Sequence, residues 1–327
     1  MNRKPRRQPR LAPRRRTQRG AALLVAMVLL TVVATLSAAM VWQQWRAVQV
    51  EAAERSRSQS AWILIGALDW ARLILREHRS TYHSLNDAWA QPLAEARLST
   101  FLASDRDNNA DSGPEAFLSG QIVDAQARYN LRNLVSDDKE NAAAELKVLE
   151  RLCQSGGLST AIAGQLAQGL ASAWHGNDAT APLTPVRIDD LVWLGLDSAS
   201  LEVLRPWVVL MPESGATPVN LNTAPREVLA AVIDGIDLGT ADRLVQARQR
   251  QPFKTLDEAQ KVLPATAKAL DAKRVGVSSK FFEVRGRLRL EDRVLEELSL
   301  VHKRDANDVV AVLRQRISTM LPSTPGL

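Results

Sequence analysis

Residues 18–45 read QRGAALLVAMVLLTVVATLSAAMVWQQW, and this stretch decides the architecture. No charged residue occurs from Gly20 to Trp45. The run is long enough to cross a bilayer core of roughly 30 Å at about 1.5 Å per residue. Ahead of it stand Arg3, Lys4, Arg6, Arg7, Arg10, Arg14, Arg15, Arg16 and Arg19 without one acid, and only Arg46 follows soon after. That asymmetry predicts a cytoplasmic N-terminus and an exported remainder. A cleaved secretory signal, cut near Ser37-Ala38-Ala39, and an uncleaved signal anchor both compete with a third reading. In the third, a basic leader ends in glycine and is removed before the apolar run, so the apolar helix stays on the mature protein. Two features favour it. Gly20 places a flexible residue at the boundary, where a peptidase needs extended backbone. Helix-compatible sequence also continues past the membrane, with no proline between Ala21 and Gln91 and Gly66 as the one glycine there. An apolar rhythm runs through Val48, Ala52, Trp62, Ile65, Leu68, Ala71, Ile74 and Leu75, beside Arg55, Arg57, Asp69, Arg72 and Arg76 on the other face. The expectation is one helix over 21–80, transmembrane at 21–45 and packed on a head beyond.

The formal charge of the 327-residue chain is +6, and taking away the nine basic residues of 1–19 leaves the remainder at −3. The body therefore lacks the excess of Lys and Arg that phosphate-backbone binding uses, and no nucleic-acid partner is expected. With one cysteine, Cys153, an intrachain disulfide and a thiolate-rich zinc site are excluded. Cys153 follows a helical Leu146–Leu152 stretch and reads as a small buried hydrophobe. His78, His83, His175 and His302 have no metal-ligand spacing with one another. The chain shows no P-loop, Gly-rich dinucleotide turn or G-x-S-x-G elbow, and the adjacent Asp189 and Asp190 would diverge from a helix, so an enzyme is not expected.

Residues 82–93 are rich in turn formers and read as a loop. From Ser119 to Leu131 the sequence alternates, with Val123, Ala125, Ala127, Tyr129 and Leu131 on one face and Asp124, Gln126 and Arg128 on the other. This predicts a half-buried strand. Its partners come much later. Phe282, Val284, Leu288 and Leu290 alternate with Glu283, Arg285, Arg287 and Arg289, a turn near Glu291-Asp292 leads to Val294–Leu300, and Asp305–Asp308 leads to Val309–Ile317. These read as an antiparallel meander.

The long span between the strands reads as helices, hence an inserted all-α domain. Two stretches in it share a plan, Asp189–Leu196 before Ser200–Leu204 and Val219–Leu229 before Thr240–Arg250. Thr223 is expected to cap a helix starting at Ala224, with Pro225 in its first turn, and Ile233–Gly239 forms a hairpin. This is the helix-hairpin-helix (SAM-like) pattern. It supplies the rival function, a membrane-anchored DNA receptor of competence type, because such hairpins can offer backbone amides to phosphate. Asp234 and Asp237 in the hairpin would repel phosphate, offset in part by Arg243 and Arg248.

QRGAALLVAMVLL, WAQPL (89–93), SGQIVDAQARYNLRNLV (119–135), VNLNTAPREVLAA (219–231), RQRQPFKTLDEA (248–259) and FFEVRGRLRL (281–290) occur in this order. Together they resemble the K-type minor pseudopilins of type II secretion (the GspK family) along nearly the whole mature chain. The resemblance implies an α+β fold in which a pilin-like N-terminal helix packs on an antiparallel sheet. It divides the chain into a leader at 1–20, the helix at 21–80, a split head at 81–136 and 276–327, and the insert at 137–275. It implies cleavage by the prepilin peptidase between Gly20 and Ala21 with N-methylation of Ala21, and Val25 as the fifth mature residue in place of the usual Glu. It further implies a single-pass inner-membrane protein with a periplasmic head, assembling with I- and J-type minor pseudopilins and the inner-membrane secretion platform to initiate and cap the pseudopilus. The partner contact is expected around Glu51–Leu75. Some relatives hold calcium. Here Asp105, Asp107, Asn109 and Asp111 space oxygen ligands as an EF-hand loop begins, but Ala110 and Ala116 stand where Gly and Glu belong, and a solvated acidic loop is the reading preferred. No cofactor is needed.

Overall fold

The computed structural model describes residues 19–98, 116–136, 138–176, 181–212, 217–290 and 293–320. The four oxygen-bearing residues Asp105, Asp107, Asn109 and Asp111 lie outside that set, as do most of the basic leader and the Glu291-Asp292 turn. The chain divides into a unit ending at Gln59 and one running from Ser60 onward. The described residues of the first are helix alone. Helix α1, Arg19–Glu77, carries an apolar window long enough to cross a membrane, none of it buried by protein. Exposed Glu51 and Arg55 pair at 2.9 Å one turn apart along it.

In the second unit the last turns of α1 cover a five-stranded antiparallel sheet. It comprises β1 (Leu93–Arg97), β2 (Ala116–Asp124), β7 (Phe281–Leu290), β8 (Arg293–Lys303) and β9 (Val309–Met320), hydrogen-bonded side by side in that order. Leu64, Leu68, Ala71 and Leu75, spaced by four, three and four, form the buried face of α1. They pack on Trp89, Ile122, Phe282, Val284, Val301 and Val309, with Leu118 and Leu288 beneath Leu64. Each fully buried leucine contributes about 1.5–3 kcal/mol. Lys303 closes the helix, its Nζ donating to the carbonyls of Leu75 at 2.7 Å and His78 at 2.6 Å, which satisfies C-terminal acceptors with a cation.

Between β2 and β7 the chain forms helices α2 (Lys139–Ser155), α3 (Ala161–His175), α4 (Ser198–Leu204), α5 (Arg226–Val232), α6 (Leu238–Arg250) and α7 (Leu256–Gln260), with the short pairs β3 (Tyr129–Asn130) with β4 (Val208–Val209) and β5 (Val219–Asn220) with β6 (Val275–Gly276). Their apolar residues make one core of their own, in which Cys153 is fully buried. Burial pushes its thiol up to about 11, as expected of a packing residue. The sheet's other face meets this body through Ala125, Val209, Met211, Phe281 and Leu300.

The structure corrects four local expectations. Leu93–Arg97 is a strand beginning where a loop was read; its Ala and Glu are weak strand formers, and pairing with β2 overrides that preference. The alternating run from Ser119 stays extended only to Asp124, then turns through a 3₁₀ segment at Ala125–Ala127, because the Asp124 carboxylate accepts the Gln126 amide at 2.8 Å. At Val123 and Asp124 the exposure is the reverse of the expectation, 39% and 1%, whereas Ala125, Tyr129 and Leu131 of the expected apolar face are buried. On α1, Trp62 is 69% exposed and Leu64 takes its place in the core, since two residues rotate the helix by about 200°. Thr223 caps nothing, because its hydroxyl is taken by Asp124 and Pro225 holds the N-cap position of α5.

Candidate functional site: the helix face and the head–insert junction

α1 presents a used face and an unused one. Opposite Leu64, Leu68, Ala71 and Leu75, the residues Trp62, Gly66, Asp69 and Leu73 recur with the same spacing and stay exposed. A side chain added at Gly66 would meet nothing within 4 Å among the described residues. A mid-helix glycine is about 1 kcal/mol worse than alanine, and the packing of the described residues requires none here. It leaves bare backbone between two large apolar side chains, a shape that admits another helix closely. This stretch falls inside the Glu51–Leu75 segment.

Further towards the N-terminus, Gly20 and Ala21 lie in the first turn of α1 and are helical rather than extended, since each residue added to an existing helix gains a hydrogen bond. Val25 is exposed among the apolar run, and no acid occurs in the first turn. The rings of Trp42 and Trp45 stack at 5.4 Å where that run ends.

Two sequence blocks more than eighty residues apart become one polar junction. Asp124 ends β2 fully buried. Its Oδ2 accepts Thr223 Oγ1 at 2.6 Å, Ser279 Oγ at 2.6 Å and Asn220 Nδ2 at 2.9 Å. Burial pushes this carboxyl above its ordinary range, and the four donors act against that push. Gln126 donates to Pro218 O at 2.8 Å and accepts from Lys280 N at 2.5 Å. Asn130 Oδ1 accepts from Met211 N at 3.1 Å, and Asn133 exchanges two bonds with the Thr217 backbone, at 3.1 and 2.9 Å. Asn222 does the same with Phe253, at 2.8 Å each way. Side chains thus replace a ladder where the insert leaves and re-enters the sheet. His83 closes the junction: its Nδ1 accepts from Ser279 N at 3.1 Å while its ring lies against Trp89 and Phe282.

The helical units serve packing. Gly195 (φ 85°) and Gly235 (φ 83°) each make the left-handed turn, and two residues later Asp197 and Asp237 cap the following helices by accepting Ser200 N at 2.9 Å and Thr240 N at 2.8 Å. The sequences GLDSAS (195–200) and GIDLGT (235–240) are thus two copies of one hairpin. The amides that a phosphate would need are occupied by the protein's own carboxylates. Asp234 is part-buried, which raises its pKa, but Arg151 at 2.8 Å, Arg274 at 3.4 Å and Lys268 at 3.5 Å hold it below the ordinary range. Arg248 is buried, lowered by desolvation to about 10, and donates to Leu221 O at 2.6 Å. Neither it nor Arg243, which donates to Thr240 Oγ1 at 2.9 Å, stands free over the hairpin.

The family model described as "Type II secretion system (T2SS), protein K" matches residues 219–278, which include the second hairpin and one half of the junction. Among curated proteins, the chain is 27% identical over 303 residues to type II secretion system protein K of Pseudomonas aeruginosa, covering 84% of this chain and 85% of that one. It is 26% identical over 320 residues to the protein of the same name from Pectobacterium carotovorum, covering 86% and 92%. Among solved structures, a chain of the GspK-GspI-GspJ complex of the type 2 secretion system of enterotoxigenic Escherichia coli superposes with a TM-score of 0.60 at 16% identity, over 82% of this chain and 99% of that one. The last likeness is one of fold.

Proposed function

This chain belongs to the type II secretion protein K family, and we propose that it is the tip subunit of a pseudopilus, held in the inner membrane by α1 with its head in the periplasm. In this reading the prepilin peptidase cuts between Gly20 and Ala21 and methylates the new amine of Ala21. Val25 then stands where a pilin-type subunit carries Glu. A carboxylate in lipid is costly without a partner, so a subunit with no neighbour above it dispenses with one. The stacked Trp42 and Trp45 suit the membrane–water boundary. The head, 81–136 with 276–327, and the insert, 137–275, act as one cap, because the Asp124 junction fastens them. Assembly with I- and J-type minor pseudopilins on the inner-membrane secretion platform then starts the fibre that exports folded proteins.

The observation that carries this reading is the unused face of α1 at Trp62, Gly66 and Leu73, opposite the face seated on the sheet. Full-length protein produced with the peptidase and tagged I- and J-type partners is the test. A mature mass beginning at methylated Ala21 and co-purification with both partners are expected. A chain beginning at Ala39, one retaining Met1, or a chain that leaves both partners unbound overturns the assignment.

A further inference from the structure

A cavity of about 370 Å³ lies between α1 and the sheet. Leu68, Trp70 and Ala71 cover it, and Ile122 and Val284 line its floor. Its depth originates in the sheet. Leu93, Gly120, Gly286, Glu297 and Arg316 stand side by side on β1, β2, β7, β8 and β9, one row straight across the strands. Two neighbouring glycines leave that row without side chains at its centre. A Cβ at Gly120 would come within 2.9 Å of Arg285 O, and one at Gly286 within 3.2 Å of Leu64 Cδ2, so neither position has room for more.

Next in the row, Glu297 is 4% exposed and lines the same cavity. Its Oε2 accepts both Nε (3.0 Å) and Nη2 (2.6 Å) of Arg316. Its Oε1 is buried with no hydrogen-bond partner among the described residues. A buried carboxylate oxygen without a donor is disfavoured, and nearly all such atoms find one. A mostly apolar pocket with a few placed polar groups, here Glu297 with Ser119, Gln121 and Ser299 also in the lining, is the form that small-ligand sites take, and this volume falls in their range.

We propose that this cavity is a binding site for a small apolar molecule bearing one N–H or O–H donor. The donor is directed at Glu297 Oε1, and the apolar body lies between Leu68 and Ala71 of α1 and Ile122 and Val284 of the sheet. Arg316 balances the carboxylate's charge on its other oxygen, so a neutral donor suffices. Occupancy fills the seam on which α1 is seated, and so favours the seated helix.

Two constitutional isomers separate a donor from an acceptor at equal size: 2-phenylethanol carries O–H, and benzyl methyl ether carries only an ether oxygen. Calorimetric titration of the full chain in lipid nanodiscs, with empty nanodiscs as the blank, is expected to show the alcohol binding about tenfold tighter, the effect of one hydrogen bond to a charged acceptor. In Glu297→Gln, Arg316 retains the amide oxygen and the NH₂ group takes the place of Oε1; both isomers can accept from it, so the preference for the alcohol is lost. Ala71→Leu, which fills the cavity from the helix side, removes binding of both. Equal binding of the two isomers by the unaltered chain, no heat above the blank for either, or a preference unchanged in a folded Glu297→Gln overturns the proposal. The isomer comparison needs no variant, so it stands even if a substitution fails to fold.

Discussion

The carboxylate of Asp124 and the side-chain amide of Asn220 meet at 2.9 Å, fully buried and 96 positions apart in sequence. Asp124 ends a sheet strand and Asn220 ends a strand of the helical body, so this contact lies at the centre of the bonds that join the insert to the head. Removing the acceptor takes away the 2.6 Å partner of both the Thr223 and the Ser279 hydroxyl, while Asn220 Nδ2 keeps His83 O at 3.1 Å and Ser279 Oγ at 2.8 Å. Asp124→Ala is expected to cost about 2–4 kcal/mol, against about 1 kcal/mol for Thr223→Val, which removes one donor. Urea titration of the two variants beside Asp308→Ala, a half-buried turn residue whose pair with Arg304 at 3.5 Å is worth less than about 1 kcal/mol, measures the ranking. A cost for Asp124→Ala no larger than for Asp308→Ala would mean the junction holds nothing.

His83 makes the same junction sensitive to acid. Burial, then His78 and Lys303, lower its pKa from 6.5 to about 3, with Asp87 opposing. The unfolded chain therefore binds a proton between pH 6.5 and 3 that the folded chain refuses, so stability falls as pH falls through that window. The slope from this one group is about 1.4 kcal/mol per pH unit. Unfolding free energies at pH 7, 6 and 5 are expected to drop accordingly. In His83→Asn, which keeps a carbonyl to accept from Ser279 N, the slope flattens while stability at pH 7 changes less. A variant with the parent's slope would assign the acid sensitivity to other groups.

Gly235 tests the hairpin. Its φ of 83° is a conformation that side chains with a Cβ rarely adopt, and the Thr266 carbonyl lies 3.3 Å from where that Cβ would be. Gly235→Ala is expected to cost about 1–2 kcal/mol from the left-handed backbone alone. Gly66→Ala, in an open helical position, is expected to gain up to about 1 kcal/mol. Thermal unfolding of the pair reads both signs, and a neutral Gly235→Ala would show that the turn can relax.

Much of this architecture was legible in the sequence because it rests on local rules. The uncharged run after Gly20, the missing prolines to Gln91 and the alternation from Phe282 onward each specify an element without reference to the rest of the chain. What was not legible is long-range. Asp124 reads as a solvent-facing residue from period two, and only the donors of Asn220, Thr223 and Ser279, supplied from the other end of the insert, make its burial tolerable. Trp62 suits a core by composition, yet the register set by Leu64, Leu68, Ala71 and Leu75 turns it outward. Glu297 stands among strand residues of ordinary alternation, and its cavity exists because Gly120 and Gly286, 166 positions apart by their numbers, fall side by side. One local signal does locate both helix caps: G-[LI]-D-x-[AG]-[ST] recurs at 195 and 235.

The unused helix face can be probed at one residue. Gly66 sits between Trp62 and Leu73 on the side of α1 away from the sheet, with open space around it. Gly66→Leu adds a side chain that the protein's own fold has room for, so the isolated subunit is expected to unfold no more easily than the parent. A partner helix lying along that face would instead be pushed outwards by a side chain's width and lose the close backbone approach. Trp62→Ala removes apolar area from the same face, and at about 25 cal/mol per Å² such a loss is large for a contact of this size. Both substitutions are expected to weaken co-purification with the I- and J-type partners about tenfold or more at unchanged unfolding temperature, while Glu54→Ala, an exposed residue outside this stripe, leaves it near the parent's level. If Gly66→Leu and Trp62→Ala assemble as well as the parent, the partner helix lies on another part of α1.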